Sequence, residues 1–184
     1  MHYLSDTLWH KGLGSYSTVK KDYSHDIFTE EALNFIREHK DENFFLYLPF
    51  TIPHDNGEAL PGERMEVPDQ GIYSEENEWN NETRSYAAMI SRMDKDIGRI
   101  IGLIQELELD KNTLVIFTSD NGPMPDKIFT NHFDSNGPLR GGKRDMYEGG
   151  IRVPFIAWWP GKIKEGSISK HLSAFWDFMH TACD

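Results

Sequence analysis

The sequence holds one cysteine, Cys183, so no disulfide can close within the chain. No apolar run approaches the roughly 20 residues needed to cross a bilayer. The opening MHYLSD has neither a basic start nor an apolar stretch, and no signal peptide is read there. Positive charge is also scarce: 19 Lys and Arg stand against 30 Asp and Glu, a net charge of -11 with a pI near 5.1. That balance argues against a nucleic-acid partner, whose phosphates want a basic face. No internal repeat or low-complexity tract stands out.

What is present suits a folded domain. The 184 residues are 38% hydrophobic and 12% aromatic, enough for one domain with a real core. The stretch up to about Ser24 is polar and Gly-dotted, and no element is assigned to it. Thr29-Glu30-Glu31 reads as a helix start, with Ala32, Leu33, Phe35 and Ile36 as its apolar face up to about Lys40. NFFLYLPF, Asn43 to Phe50, is almost continuously apolar, as a strand covered on both faces would be. A loop rich in Pro and Gly follows. From Asn81 to about Glu108 the residues Tyr86, Ile90, Met93, Ile97, Ile100, Ile104 and Leu107 recur at three- and four-residue steps, the stripe of an amphipathic helix. The charges of Met93-Asp94-Lys95-Asp96 read as that helix's wet face. Thr113 to Phe117 is a second apolar strand, which completes a βαβ unit and predicts that the two strands lie parallel. Arg152 to Trp158 (RVPFIAW) makes a third strand, its Pro154 favouring an edge or a bulge. A short helix is expected near Ser173 to Ala182.

In parallel α/β sheets, sites form where strands end at their carboxyl edge. His54 follows the first strand end and Asp120-Asn121 follows the second, while the loop from Gly137 to Gly150 can fold over both. Asp120 and Asn121 each offer a side-chain oxygen, the donor type a hard cation such as Ca²⁺ takes. Asp and Asn are equally ordinary turn residues, so Ser-Asp-Asn-Gly alone leaves both readings open. His54 suits a proton donor or an anion contact. Lys143, in LRGGK, sits in a flexible backbone context from which a cation can reach an anion, although a lone Lys is usually just solvated.

The order of these motifs carries more than any one of them. YSHDIFTEEALNFIREHKDENFFLYLPF, then TIPH, a long helix, a strand ending in SDNG, GPLRGGKRDMYEGGIRVPF and WWPG together resemble the sulfatase family, of the arylsulfatase type, from about Tyr23 to Thr181. The resemblance implies an alkaline-phosphatase-like α/β fold: a three-layer sandwich with a largely parallel central sheet flanked by helices, incomplete in this chain. It implies that Asp120 and Asn121 bind one divalent cation, usually calcium. It implies that His54 contacts the sulfate group and serves acid-base steps, and that Lys143 contacts a sulfate oxygen. The substrates implied are carbohydrate or aryl sulfate esters, with no nucleic-acid or membrane partner, and the implied location is periplasmic, secreted or lysosomal.

Two features of the family pattern are not in these 184 residues. Sulfatases attack with a formylglycine made from the Cys or Ser of a C/S-x-P-x-R sequence, and neither Cys183 nor any Ser heads that pattern here. Asn136-Gly137-Pro138-Leu139-Arg140 has the spacing, but Asn has no thiol or hydroxyl to oxidise. Two further metal-binding Asp residues, which the family draws from near the domain's start, are also missing. Asp126 and Asp134 are further carboxylates in the loop after Asp120. The chain therefore reads as a partial sulfatase catalytic domain over residues 1–184, without its nucleophile-bearing part and inactive alone. Two other readings remain: a phosphodiesterase or phosphonate hydrolase of the same superfamily, which commonly shows Asp-His where Asp120-Asn121 stands, and a truncated non-catalytic binding module.

Overall fold

The structure, a computed structural model, describes residues 7–9, 15–17, 20–57, 59–125 and 132–183. In the opening stretch, where no element is expected, β1 (Thr7–Trp9) pairs antiparallel with β2 (Ser15–Ser17), Thr7 opposite Ser17.

Helix α1 spans Ser24–Glu38 and begins five residues before the expected Thr29. The Tyr23 carbonyl accepts the first amide bonds, from Asp26 and Ile27, and Asp26 places an acidic group in the first turn, where the helix dipole favours it. Thr29 is no cap: its hydroxyl donates to the His25 carbonyl one turn back, at 3.0 Å. Helix α2, Asn81–Glu106, matches its sequence stripe closely. Asn80 caps it, accepting from the Thr83 amide at 2.8 Å. The buried face is rotated slightly from the expected one, centred on Met89, Leu103 and Ile104, with Ile90 left exposed. Asp96 also departs from expectation, since it is buried against α1 rather than on a wet face; its Oδ2 lies 3.1 Å from His25 Nε2. A partner 71 positions away removes it from water, and periodicity along one helix cannot register that.

Two cores hold the helices. Leu33 and Ile36 of α1 meet Leu103 and Ile104 of α2, and Phe44, Leu46, Val115 and Trp158 pack onto them. The second core joins Tyr23, Ile52, Met65 and Met89, and takes Val67, Tyr86, Met93 and Met124.

The sheet differs from expectation. β3 (Val115–Thr118) pairs antiparallel with β4 (Phe155–Trp158), Val115 opposite Trp158 and Thr118 opposite Phe155. Pro154 sits just outside β4, where its missing N–H costs no ladder bond, and its carbonyl accepts from Thr118 Oγ1 at 2.8 Å. The 43–50 run forms no strand and no parallel pair with β3 among the described residues. Its burial alternates instead: Phe44, Leu46, Leu48 and Phe50 are half-buried, while Phe45 and Tyr47 are 71% and 75% exposed. Ladder bonds require a neighbouring strand, and the run carries the local bond from the Phe50 amide to the Leu48 carbonyl. Among the described residues one face packs on the helices and the other is uncovered, so the expected burial on both faces is not formed.

After β3 come α3 (Glu148–Ile151), a one-turn helix before β4, and α4 (Phe178–Cys183), preceded by a 3₁₀ turn at Phe175–Asp177. Among the described residues no helix is long and apolar enough to cross a membrane.

Candidate functional site

Thr51-Ile52-Pro53-His54 closes a tight turn in which the His54 amide donates to the Thr51 carbonyl at 3.0 Å. Ile52 is buried in the core around Met89, and Met124, just beyond Ser-Asp-Asn-Gly-Pro, packs on that same core. One apolar anchor therefore fixes both loops that the sequence places at strand ends.

Glycines bring the third loop in. The Lys143 amide donates to the Pro123 carbonyl at 2.7 Å, and the Gly122 amide donates to the Gly150 carbonyl at 2.9 Å. A Cβ on Gly122 would lie 1.8 Å from the Gly149 carbonyl oxygen, and one on Gly142 would lie 2.6 Å from that of Pro123. These backbones touch where no side chain fits, which is why Gly stands at these positions. Gly141, at φ +82°, turns the chain, and the Asp145 carboxylate accepts from the Gly142 amide at 3.0 Å.

The result is a contact across 89 positions: Lys143 Nζ lies 2.8 Å from His54 Nε2. An ammonium can only donate, so Nε2 accepts and the ring proton sits on Nδ1. Nδ1 lies 2.8 Å from the Asp55 carbonyl oxygen, to which it donates, and 3.2 Å from Asp55 Oδ1. The imidazole is just over half exposed, whereas the Asp55 carboxylate is largely covered, with Arg64 Nη1 4.0 Å from its Oδ2. Among the described residues the contact with His54 is the one side-chain bond of Lys143, which leaves two of its three donors for an incoming anion.

Asp120 is exposed and Asn121 half-buried, immediately before Gly122. The Ser119 hydroxyl donates to the Asn121 carbonyl at 3.1 Å, which holds the turn. Among the described residues no protein donor engages the Asp120 carboxylate or the Asn121 side-chain oxygen. Both are thus free to serve a hard cation, and their donor chemistry fits one. Calcium takes roughly six to eight oxygens, so two residues make part of a site. No cluster of three or more His, Cys, Asp or Glu suited to a metal occurs among the described residues. Asp134 is exposed with φ 49°, and Asp126 lies outside the described residues.

A sulfatase family model matches residues 2–184. This chain belongs to the sulfatase family. The chain is 35% identical over 159 residues to mouse N-acetylgalactosamine-6-sulfatase, covering 85% of itself and 28% of that protein. It is 35% identical over 154 residues to an N-acetylgalactosamine-6-O-sulfatase of Bacteroides thetaiotaomicron, covering 76% of itself and 26% of that protein. Among solved structures it resembles Ps i-CgsB in complex with k-i-k-neocarrahexaose, with a TM-score of 0.61 and 30% identity, covering 84% of this chain and 31% of that one. The sulfatase chain described here thus spans less than a third of the length of these relatives.

Of the residues singled out in the sequence, His54 and Lys143 meet directly, and the Asp120–Pro123 turn is tied to the Lys143 loop through Pro123 and Gly122. Asp55 is the site residue that sequence reasoning missed. Its only signal was a carboxylate next to His54, and adjacent residues seldom face one another.

Proposed function

We propose that this sulfatase chain supplies part of the sulfate-binding and metal-binding site of a sulfuric ester hydrolase acting on carbohydrate or aryl sulfate esters. The observation that carries the reading is the 2.8 Å contact between Lys143 Nζ and His54 Nε2, which places an ammonium and an imidazole at one point on the rim. Lys143 directs its two remaining donors at sulfate oxygens, and His54 handles a proton at Nε2. Asp120 and Asn121 would hold a calcium ion, which when bound stabilises charge growing on the sulfuryl oxygens. Carbohydrate sulfates are favoured over aryl sulfates by the sugar sulfatases among the relatives and by the solved complex with a neocarrahexaose. Asn121 favours a single hard cation over the second, imidazole-bound metal expected of a phosphodiesterase. In the complete domain, the largely parallel central sheet of a three-layer sandwich would give the 43–50 run its missing neighbours. The location that goes with this reading is periplasmic, secreted or lysosomal.

The nucleophile is not among these 184 residues, so the chain alone should not hydrolyse a chromogenic aryl sulfate. A longer form bearing a Cys or Ser in C/S-x-P-x-R should turn it over. In that form Lys143→Ala and His54→Ala should each lower kcat about 10²- to 10³-fold, the usual loss of one preorganised donor. Turnover by the 184-residue chain that disappears in Asp120→Ala contradicts the reading. So does a longer form whose kcat is indifferent to both substitutions.

A further inference from the structure

The contacts around His54 go beyond the roles given above, and the inference drawn from them rests on that reading of the site. The ring has two different neighbours. On Nε2 it faces Lys143 at 2.8 Å, a group that can only donate. On Nδ1 it faces two acceptors of one residue, the Asp55 carbonyl at 2.8 Å and the Asp55 carboxylate oxygen at 3.2 Å. Behind the carboxylate stands Arg64, 4.0 Å from its second oxygen, so Asp55 is held from the side away from the ring. The next residue is fixed too: the Asn56 amide donates to the Arg64 carbonyl at 2.9 Å, and Asn56 Nδ2 donates to Glu66 Oε2 at 2.9 Å.

We infer that Asp55 is a positioning residue for the sulfate site: its backbone carbonyl takes the Nδ1 proton of His54, and its carboxylate, 3.2 Å from that nitrogen, adds a negative charge that keeps the proton there, so that Nε2 stays bare for the Lys143 ammonium that meets the anion. Reactivity at a histidine depends on which nitrogen is bare, and the hydrogen bond made by the other nitrogen decides it. A ring with its proton on Nε2 would turn one donor against another at Lys143 and lose that contact. It would also turn a bare Nδ1 toward a carbonyl and a carboxylate, leaving two acceptors face to face. Asp55 prevents both at once. Nothing is transferred in this role; Asp55 acts through His54.

The test is nitrogen NMR of the histidine rings in the 184-residue chain, with no anion added and at a pH where the His54 ring is neutral. His54→Gln assigns the signals, and the buried His25 ring reports whether each variant is folded. Wild type should carry the His54 proton on Nδ1. In Asp55→Ala, which keeps the carbonyl acceptor and removes only the carboxylate, the ratio of Nδ1–H to Nε2–H should fall about threefold, the worth of a partly exposed charge contact, with His25 unchanged. In Asp55→Asn, which keeps the shape and an acceptor oxygen but loses the charge, the fall should be smaller. A wild-type ring protonated on Nε2, or an unchanged ratio in a folded Asp55→Ala, overturns the inference. Should Asp55→Ala lose the His25 signal, Asp55→Asn decides, and an unchanged ratio there overturns it. Because no sulfate is present, this result is independent of whether sulfate binds. The tautomer can fail while sulfate still moves both residues, and the sulfate reading can fail while the tautomer stands.

Discussion

Between α1 and α2, the side chains of His25, Thr29, Ile36 and Met89 are shut off from water, whereas across β3 and β4 no side chain is fully buried and Phe155 and Ile156 stay 59% exposed. The helical region supplies the centre of both cores, with charge neutralised at the seam: Arg92 grips Asp26 through two bonds, at 2.7 and 2.6 Å, and Arg99 Nη1 donates to Asp96 Oδ1 at 3.0 Å. The sheet region touches the helices through Val115 and Trp158, leaves Phe155 and Ile156 open, and is otherwise tied by backbone bonds between glycine-rich turns. The proposed site lies where the second region is tied to the first, through Ile52 and Met124 on one core. The difference separates two kinds of precision. Packing holds the loops in place, while close backbone approach sets Lys143 against His54.

The largest effect should come from the shared anchor. Met89 is fully buried in the core that holds both loops, so Met89→Ala should cost about 2–5 kcal/mol. Denaturant melts should show helix and site signals failing together. If the helix signals fail while the site signals persist, the loops do not depend on that core.

A smaller effect, confined to the second region, is expected from Gly122→Ala. The added methyl meets the Gly149 carbonyl at 1.8 Å, and relieving that clash should cost about 1–3 kcal/mol. Hydrogen exchange should accelerate at the Gly122 and Lys143 amides and stay unchanged through α1 and α2. Equal acceleration in the helices would erase the distinction between the two regions.

The smallest effect is a pH dependence inside the helical region. Burial pushes the His25 pKa below its usual 6.5, against the opposing pull of Asp96 and Asp26 and with a minor contribution from Arg92. Among the described residues its buried Nδ1 has no hydrogen-bond partner, as suits a neutral ring donating through Nε2 to Asp96. With the folded pKa lowered, the unfolded chain binds the proton first as pH falls. The stability His25 contributes is therefore present above about pH 6.5 and is lost below it, toward the folded pKa. Melting temperature should drop more steeply between about pH 7 and about pH 5 in wild type than in His25→Gln. Parallel curves would remove His25 from the account.

How much of this the sequence carried follows the same division. Helix α2 was legible because its apolar stripe is buried within this chain, and its cap Asn80 stands next to it. The 43–50 run was misread because apolar content reports burial but not which strand lies alongside. Asp96 was misread because its partner is on another helix. Tyr23, rather than Thr29, opens α1 because its carbonyl takes the first amide bonds, and no side chain marks that start. At the site, His54, Lys143, Asp120 and Asn121 were named through the order of their motifs; no single motif sufficed. The tie between His54 and Lys143 depends on glycines that let three backbones touch, and the role of Asp55 depends on how one ring is turned. Neither leaves a periodic trace.

The central claim is that His54 and Lys143 form one anion site, and titrating inorganic sulfate into the 184-residue chain tests it most directly. Magnetic resonance of the His54 ring and the Lys143 ammonium reads the outcome, with chloride at matched ionic strength as the control and His25 as the internal reference. The account predicts that sulfate moves the His54 and Lys143 signals along one saturable curve, leaves His25 unmoved, and no longer moves His54 in Lys143→Ala. A response equalled by chloride, shared by His25, or kept by His54 in Lys143→Ala would contradict it.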